Sequence, residues 1–308
     1  HEPRWSDLTT ADGPELIVAA TAHTSRRTFC GLPAYGFTFR PGAVALHDRT
    51  DGTGAVVSMA AYPRGSWWDG YPRGWLVSRS MALSGAAIAS AMGRQALGTT
   101  NSLLAALDLR LGAWVPNPRH AHWFVEPSTS PRVHLGYLWK ELVGSYHPDR
   151  DAFVYVADGG HRENLGLVEL LREHPSTVLC VDASGAAPGS FTTLDEAIQL
   201  ASVELGITIE IDLAPLHPAA GPPAACVAVG TVHYPDRMGG GTAHLVYGRA
   251  QVDATAPPEL VAYAATDPSF PDYSTLDQFL TDTEHVQLVA LGQHLAARMV
   301  GSFPGATP

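Results

Sequence analysis

The stretch from Ala152 to Asp182 constrains the fold more than any other part of the chain. Ala152–Ala157 (AFVYVA) is an unbroken apolar run of strand length, and Asp158-Gly159-Gly160 reads as a turn. Leu165–Glu173 (LGLVELLRE) has helical spacing, and Ser176–Asp182 (STVLCVD) is a second apolar run. Strand, turn, helix and strand within about 30 residues is the text of a parallel βαβ unit. It predicts that 152–157 and 176–182 are neighbouring parallel strands. It also predicts that Leu167, Leu170 and Leu171 face the sheet, because they fall at helical spacing.

Around this centre the remaining text alternates between strand and helix. Glu15–Thr21 and Tyr35–Arg40 read as strands. Ser80–Arg94 and Thr100–Leu111 read as helices, the second opened by Asn101. Thr193–Leu205 reads as a helix and Ile207–Leu213 as a strand. Cys226–His233 and His244–Val252 are two strands around Gly239-Gly240-Gly241, which reads as a hairpin turn. Glu259–Ala265 and Asp282–Val300 are closing helices. Residues 41–75 and 114–131, rich in Gly, Pro or Trp, read as long loops. The expectation is one α/β domain over 1–308, with no internal repeat.

Composition narrows the function classes. Only 16% of residues are charged against 45% hydrophobic, which argues against disorder. Acids outnumber bases 30 to 19, and Lys140 is the only lysine. With no basic run, a nucleic-acid partner is not expected. Cys30, Cys180 and Cys226 are far apart and odd in number, which excludes a disulfide framework and a four-thiolate zinc site. A reducing, cytoplasmic compartment is the expectation. No apolar run reaches the roughly 18 residues of a membrane span, and no signal peptide is visible. The chain begins at His1 rather than Met, and it reads as a processed product or a piece of something longer.

The segment Asp158-Gly159-Gly160-His161-Arg162-Glu163-Asn164 carries the chemistry. An aspartate at the C-terminal end of a buried strand lies where open α/β sheets place functional groups. The two glycines let the chain turn sharply and leave the carboxylate uncrowded. The alternative is that Asp158 only opens a turn or caps the next helix. Arg162 and Glu163 read equally well as a solvated helix start, and Asn164 as a cap. His120 and His122 form an H-x-H pair, and Asp158 and His161 stand three apart. No third and fourth ligand follows at matching spacing, so neither a metal nor a cofactor is expected. Trp67, Trp68, Tyr71 and Trp75 form either a lipid-facing lid or an aromatic cluster that packs a loop.

ADGGHRENLGLVELLRE followed by STVLCVDASG resembles the catalytic-aspartate segment of the patatin-like and cytosolic-phospholipase superfamily, most closely that of large bacterial patatin-like phospholipases. MALSGAAIASAMG, LDLRLGAWVPNP, LASVELGITIEI and FPDYSTLDQFL resemble the same bacterial family in the same order, so the likeness spans roughly residues 80–295. The resemblance implies a layered patatin-like α/β fold with a mostly parallel central sheet, this chain being its C-terminal portion. It also implies a hydrolase of lipid or phospholipid esters using a Ser-Asp dyad, with Asp158 as the aspartate and Gly159 and Gly160 as motif backbone.

Two family features are missing. The Gly-Gly-Gly-x-Arg oxyanion loop and the Gly-x-Ser-x-Gly nucleophile, which normally precede this region, do not occur here. The nearest approach to the latter is Ala82-Leu83-Ser84-Gly85-Ala86, with alanine at both flanking glycines. Three readings follow. The nucleophile lies on an upstream segment of the same polypeptide, through which the protein reaches a membrane surface. Or Ser84 makes the chain a self-contained hydrolase. Or the chain is a non-catalytic membrane-surface or protein-interaction domain of the same fold.

Overall fold

The computed structural model describes residues 3–8, 14–28, 31–48, 54–62, 75–85, 112–124, 135–185, 189–218, 221–273 and 279–303. The expected helix at 100–111, most of that at 80–94, and Trp67, Trp68 and Tyr71 lie outside them. The chain is a mixed α/β protein that divides into two compact units, His1–Glu169 and Leu170–Pro308.

The first unit is built on a six-stranded sheet. In chain order its strands are β1 (Val18–His23), β2 (Ala34–Phe39), β3 (Ala43–His47), β4 (Ala55–Ser58), β5 (Ala113–Pro116) and β6 (Phe153–Ala157). Their spatial order is β4-β3-β2-β1-β6-β5, and every pairing is antiparallel. Both faces of strand β6 are covered. Val154 and Val156 join Val18, Ala20, Phe37, Phe39, Val44 and Leu46 in a core that helix α1 (Val77–Ser84) caps with Val77 and Leu83. Phe153, Tyr155 and Ala157 point the other way into an aromatic cluster with Trp114, Tyr137 and Tyr146. Tyr137 belongs to helix α2 (Leu135–Leu142). A strand buried on both faces carries no polar alternation, and this is why AFVYVA reads as one apolar run.

The second unit holds strands β7 (Thr177–Asp182), β8 (Thr208–Ile211), β9 (Val227–His233) and β10 (Thr242–Arg249), in the order β7-β10-β9-β8. Helix α3 (Leu167–Leu171) lies on the chain between β6 and β7. Helix α4 (Thr192–Leu205) buries Leu194, Ala197, Leu200, Ala201 and Leu205, a helical stripe, and ends at Gly206 in the left-handed region. Helices α5 (Pro258–Thr266) and α6 (Asp282–Gly301) follow. A reciprocal capping box between Thr281 and Glu284 starts α6. Gly239, Gly240 and Gly241 all have positive φ in the β9–β10 connection, as a hairpin turn requires.

Several expectations are corrected here. Among the described residues the only parallel pairing is β7 with β10, so no mostly parallel central sheet is formed. The two strands of the expected βαβ unit stand in different sheets. Both neighbours of β6, β1 and β5, are antiparallel to it. The linker between β6 and β7 spends its first residues on a 3₁₀ turn, Gly159–His161, and keeps only five for α3. The loop expected over 41–75 contains β3 and β4, and the one over 114–131 contains most of β5 and a 3₁₀ segment, Pro118–Phe124. No helix among the described residues is long and apolar enough to cross a membrane.

Candidate active site

Asp158 follows the last residue of β6 and opens the Gly159–His161 turn. Its Oδ1 accepts the Gly160 N–H at 2.7 Å. The residue is half-buried. Among the described residues it joins no ion pair, and Oδ2 takes no hydrogen bond. One carboxylate oxygen is therefore committed to the turn and the other is available.

Close approach to backbone requires a glycine at 159, while a Cβ at 160 would have to displace the exposed Asn164 side chain. A Cβ on Gly159 would lie 2.9 Å from the Ala19 carbonyl oxygen, and the space beside Gly160 is taken by the Asn164 side chain. The Gly159 carbonyl accepts the Thr21 hydroxyl at 3.1 Å, which ties the turn to β1. His161 Nδ1 lies 3.4 Å from His23 Nε2. His23 is 2% exposed among Tyr146, Tyr155 and His161. Burial, and then His161, pull its pKa down to about 3, so it is a neutral imidazole at physiological pH.

The rest of the motif anchors the turn from behind. Arg162 Nη1 donates to Glu169 Oε1 at 2.8 Å, and Glu169 Oε2 lies 3.3 Å from His47 Nε2. Glu163 Oε1 accepts the Leu165 N–H and Oε2 the Val168 N–H at 3.4 Å. Burial raises the Glu163 pKa, against those two hydrogen bonds. Glu163, not Asn164, thus satisfies the free N–H groups at the start of α3; Asn164 is exposed. Arg162 and Glu163 are buried rather than solvated.

Ser84 is the last residue of α1, so it does not occupy a strand-to-helix turn. Its Oγ donates to the Ala19 carbonyl at 2.6 Å, the same carbonyl that Gly159 abuts. The helix thus brings Ser84 to the neighbourhood of the Asp158 turn, but no serine hydroxyl among the described residues is bonded to Asp158.

The other candidates have structural occupations. His120 stacks on Trp123 with centroids 4.2 Å apart, and its Nε2 lies 3.2 Å from the Asp149 carbonyl oxygen. Trp75 is buried against Phe39 and Tyr62, with the Arg79 guanidinium 4.7 Å from its ring centroid. Asp182, which ends β7, is buried and accepts the Tyr247 hydroxyl at 2.6 Å. Sequence reasoning missed His23, whose place becomes visible only through the pairing of β1 with β6. No family model, curated protein or solved structure matches the chain.

Proposed function

We propose that this chain is the aspartate-bearing portion of a patatin-like lipid acyl ester hydrolase, acting on phospholipid at a membrane surface from the cytoplasm. Asp158 is the base. The observation that carries this reading is the asymmetry of its carboxylate: Oδ1 is fixed by Gly160 N–H while Oδ2 is left without a partner among the described residues. In the reaction Oδ2 takes the proton of a serine hydroxyl as its Oγ attacks the ester carbonyl carbon. The tetrahedral adduct collapses, the alcohol leaves with that proton, and water releases the acyl group by the same route. The serine and its oxyanion donors come from an upstream segment of the polypeptide. Ser84 spends its proton on Ala19, which a nucleophile awaiting a base does not do. The antiparallel setting of β6 departs from the mostly parallel sheet the resemblance implies, so the proposal rests on the motif and the carboxylate.

A second reading is favoured by the same turn. Asp158, Gly159, Gly160, Arg162 and Glu163 each have a structural task, and a non-catalytic domain would keep them for that alone. A fluorophosphonate probe separates the readings when applied to the polypeptide its gene encodes, beside release of fatty acid from phosphatidylcholine vesicles. Fatty acid release with labelling of a serine other than Ser84 is expected. Labelling of Ser84 would make the chain self-contained. Neither labelling nor release would leave the non-catalytic reading.

A further inference from the structure

The second unit contains a polar cluster that the hydrolase reading does not use. Cys226 stands just before β9, Asp253 follows β10, and His294 lies on α6. Their Sγ, carboxylate oxygen and imidazole nitrogen all lie within 4.8 Å of one another. Asp253 is 0% exposed and Cys226 1%. Among the described residues the only ion-pair partner of Asp253 is His294, with Nε2 3.1 Å from Oδ1. The backbone N–H and the hydroxyl of Thr255 both donate to Oδ1 at 3.0 Å. Oδ2 is buried and accepts no conventional N–H or O–H hydrogen bond.

A fully buried carboxylate whose only ion pair among the described residues is with an imidazole, and whose Oδ2 accepts no N–H or O–H hydrogen bond, is costly to bury. A divalent cation removes both costs. We propose that Cys226 Sγ, Asp253 Oδ2 and His294 Nε2 form a zinc site that clamps the start of β9, the end of β10 and helix α6 together. Thiolate, imidazole and carboxylate are all zinc donors, and three protein ligands leave a fourth position for water. Two ligands at about 2.1 Å from a tetrahedral ion stand about 3.4 Å apart, within the 4.8 Å that encloses the three candidate ligand atoms. Thr255 holds the carboxylate from behind, as outer-shell partners of metal ligands do. Thiolate and carboxylate together balance the charge of the ion, with His294 neutral. Binding displaces the Cys226 thiol proton to solvent.

The full chain, purified without chelator, should contain about one zinc per molecule by elemental analysis. Cobalt put in its place should give a thiolate-to-cobalt charge-transfer band. That band should persist in the double variant Cys30→Ser/Cys180→Ser, which leaves Cys226 as the only thiol. His294→Ala should weaken cobalt binding by at least about tenfold. No uptake of zinc or cobalt would overturn the proposal, as would loss of the band from the double variant at equal folded fraction. A band that survives Cys226→Ser would overturn it too.

Discussion

Arg162 and Glu169 form a 2.8 Å ion pair with side chains 3% and 5% exposed, seven residues apart and just after the turn that Asp158 opens. The pair joins the end of the motif to helix α3, and His47 extends it to β3. Removing one member leaves the other charge buried. Arg162→Met should therefore cost about 3–5 kcal/mol in urea unfolding. The double change Arg162→Met/Glu169→Leu should cost less than the single one. A double variant that loses more than Arg162→Met alone would refute this account of the pair.

Gly36 of β2 packs directly beneath that pair, and a Cβ there would collide with Glu169 Oε1 and approach Arg162 Nη1 to 3.2 Å. Both side chains are held by each other and cannot yield freely. Gly36→Ala should destabilise by about 1–3 kcal/mol. An unchanged denaturation midpoint would show that the pair can shift.

His23 makes stability depend on pH in a known direction. Its folded pKa, about 3, lies below the ordinary 6.5. The unfolded chain therefore binds the extra proton first as pH falls. The contribution is fully present above pH 6.5 and is lost as pH falls from there toward 3. Between pH 7 and pH 5 this residue alone should remove about 2 kcal/mol. His23→Gln should lose less stability than the native chain over that interval by this amount, measured by urea unfolding at both pH values. Equal losses would contradict a buried neutral His23.

The Asp158 cap is separable from its chemistry. Asn keeps an oxygen that can accept the Gly160 N–H, and Ala does not. Asp158→Ala should cost about 0.5–2 kcal/mol, with Asp158→Asn close to the native chain in thermal unfolding. Equal destabilisation by both would show that the negative charge, not the acceptor, holds the turn.

Local elements were legible in the sequence where burial imposed a simple pattern. Phe153–Ala157 stands out as an apolar run because it is buried throughout, and α6 runs from Asp282 as its text predicts; Thr177–Asp182 is equally apolar, yet the structure exposes Leu179 and Val181, so its text overstated its burial. Helix α3 is shorter than its spacing suggests. Leu167 and Leu171 are buried with Val168, while Leu170 is only partly covered. Strand partners were not legible, because apolar runs do not name their neighbours. Leu165–Glu173 suggested a crossover, but the pairing of β6 with β1 and β5 depends on residues more than 100 and about 40 positions away. The short strands β3 and β4 were hidden among glycines and polar residues.

The turn formed by Asp158, Gly159 and Gly160, where the candidate site is placed, was legible because its parts are contiguous. His23 was not, and neither was the cluster of Cys226, Asp253 and His294. Each depends on contacts between distant segments, so no spacing rule finds them. A solvated helix start stayed open for Arg162 and Glu163 because charge usually marks a surface, whereas here each charge has a buried partner or N–H groups to satisfy it.

The central claim is that Asp158 serves as the base of an ester hydrolase. Its most direct test is the turnover of a phospholipid ester by Asp158→Asn, in the polypeptide its gene encodes and at equal folded fraction. The account predicts a fall of about 10²–10⁴ with the Gly160 hydrogen bond and the fold retained. Unchanged turnover would remove Asp158 from the mechanism.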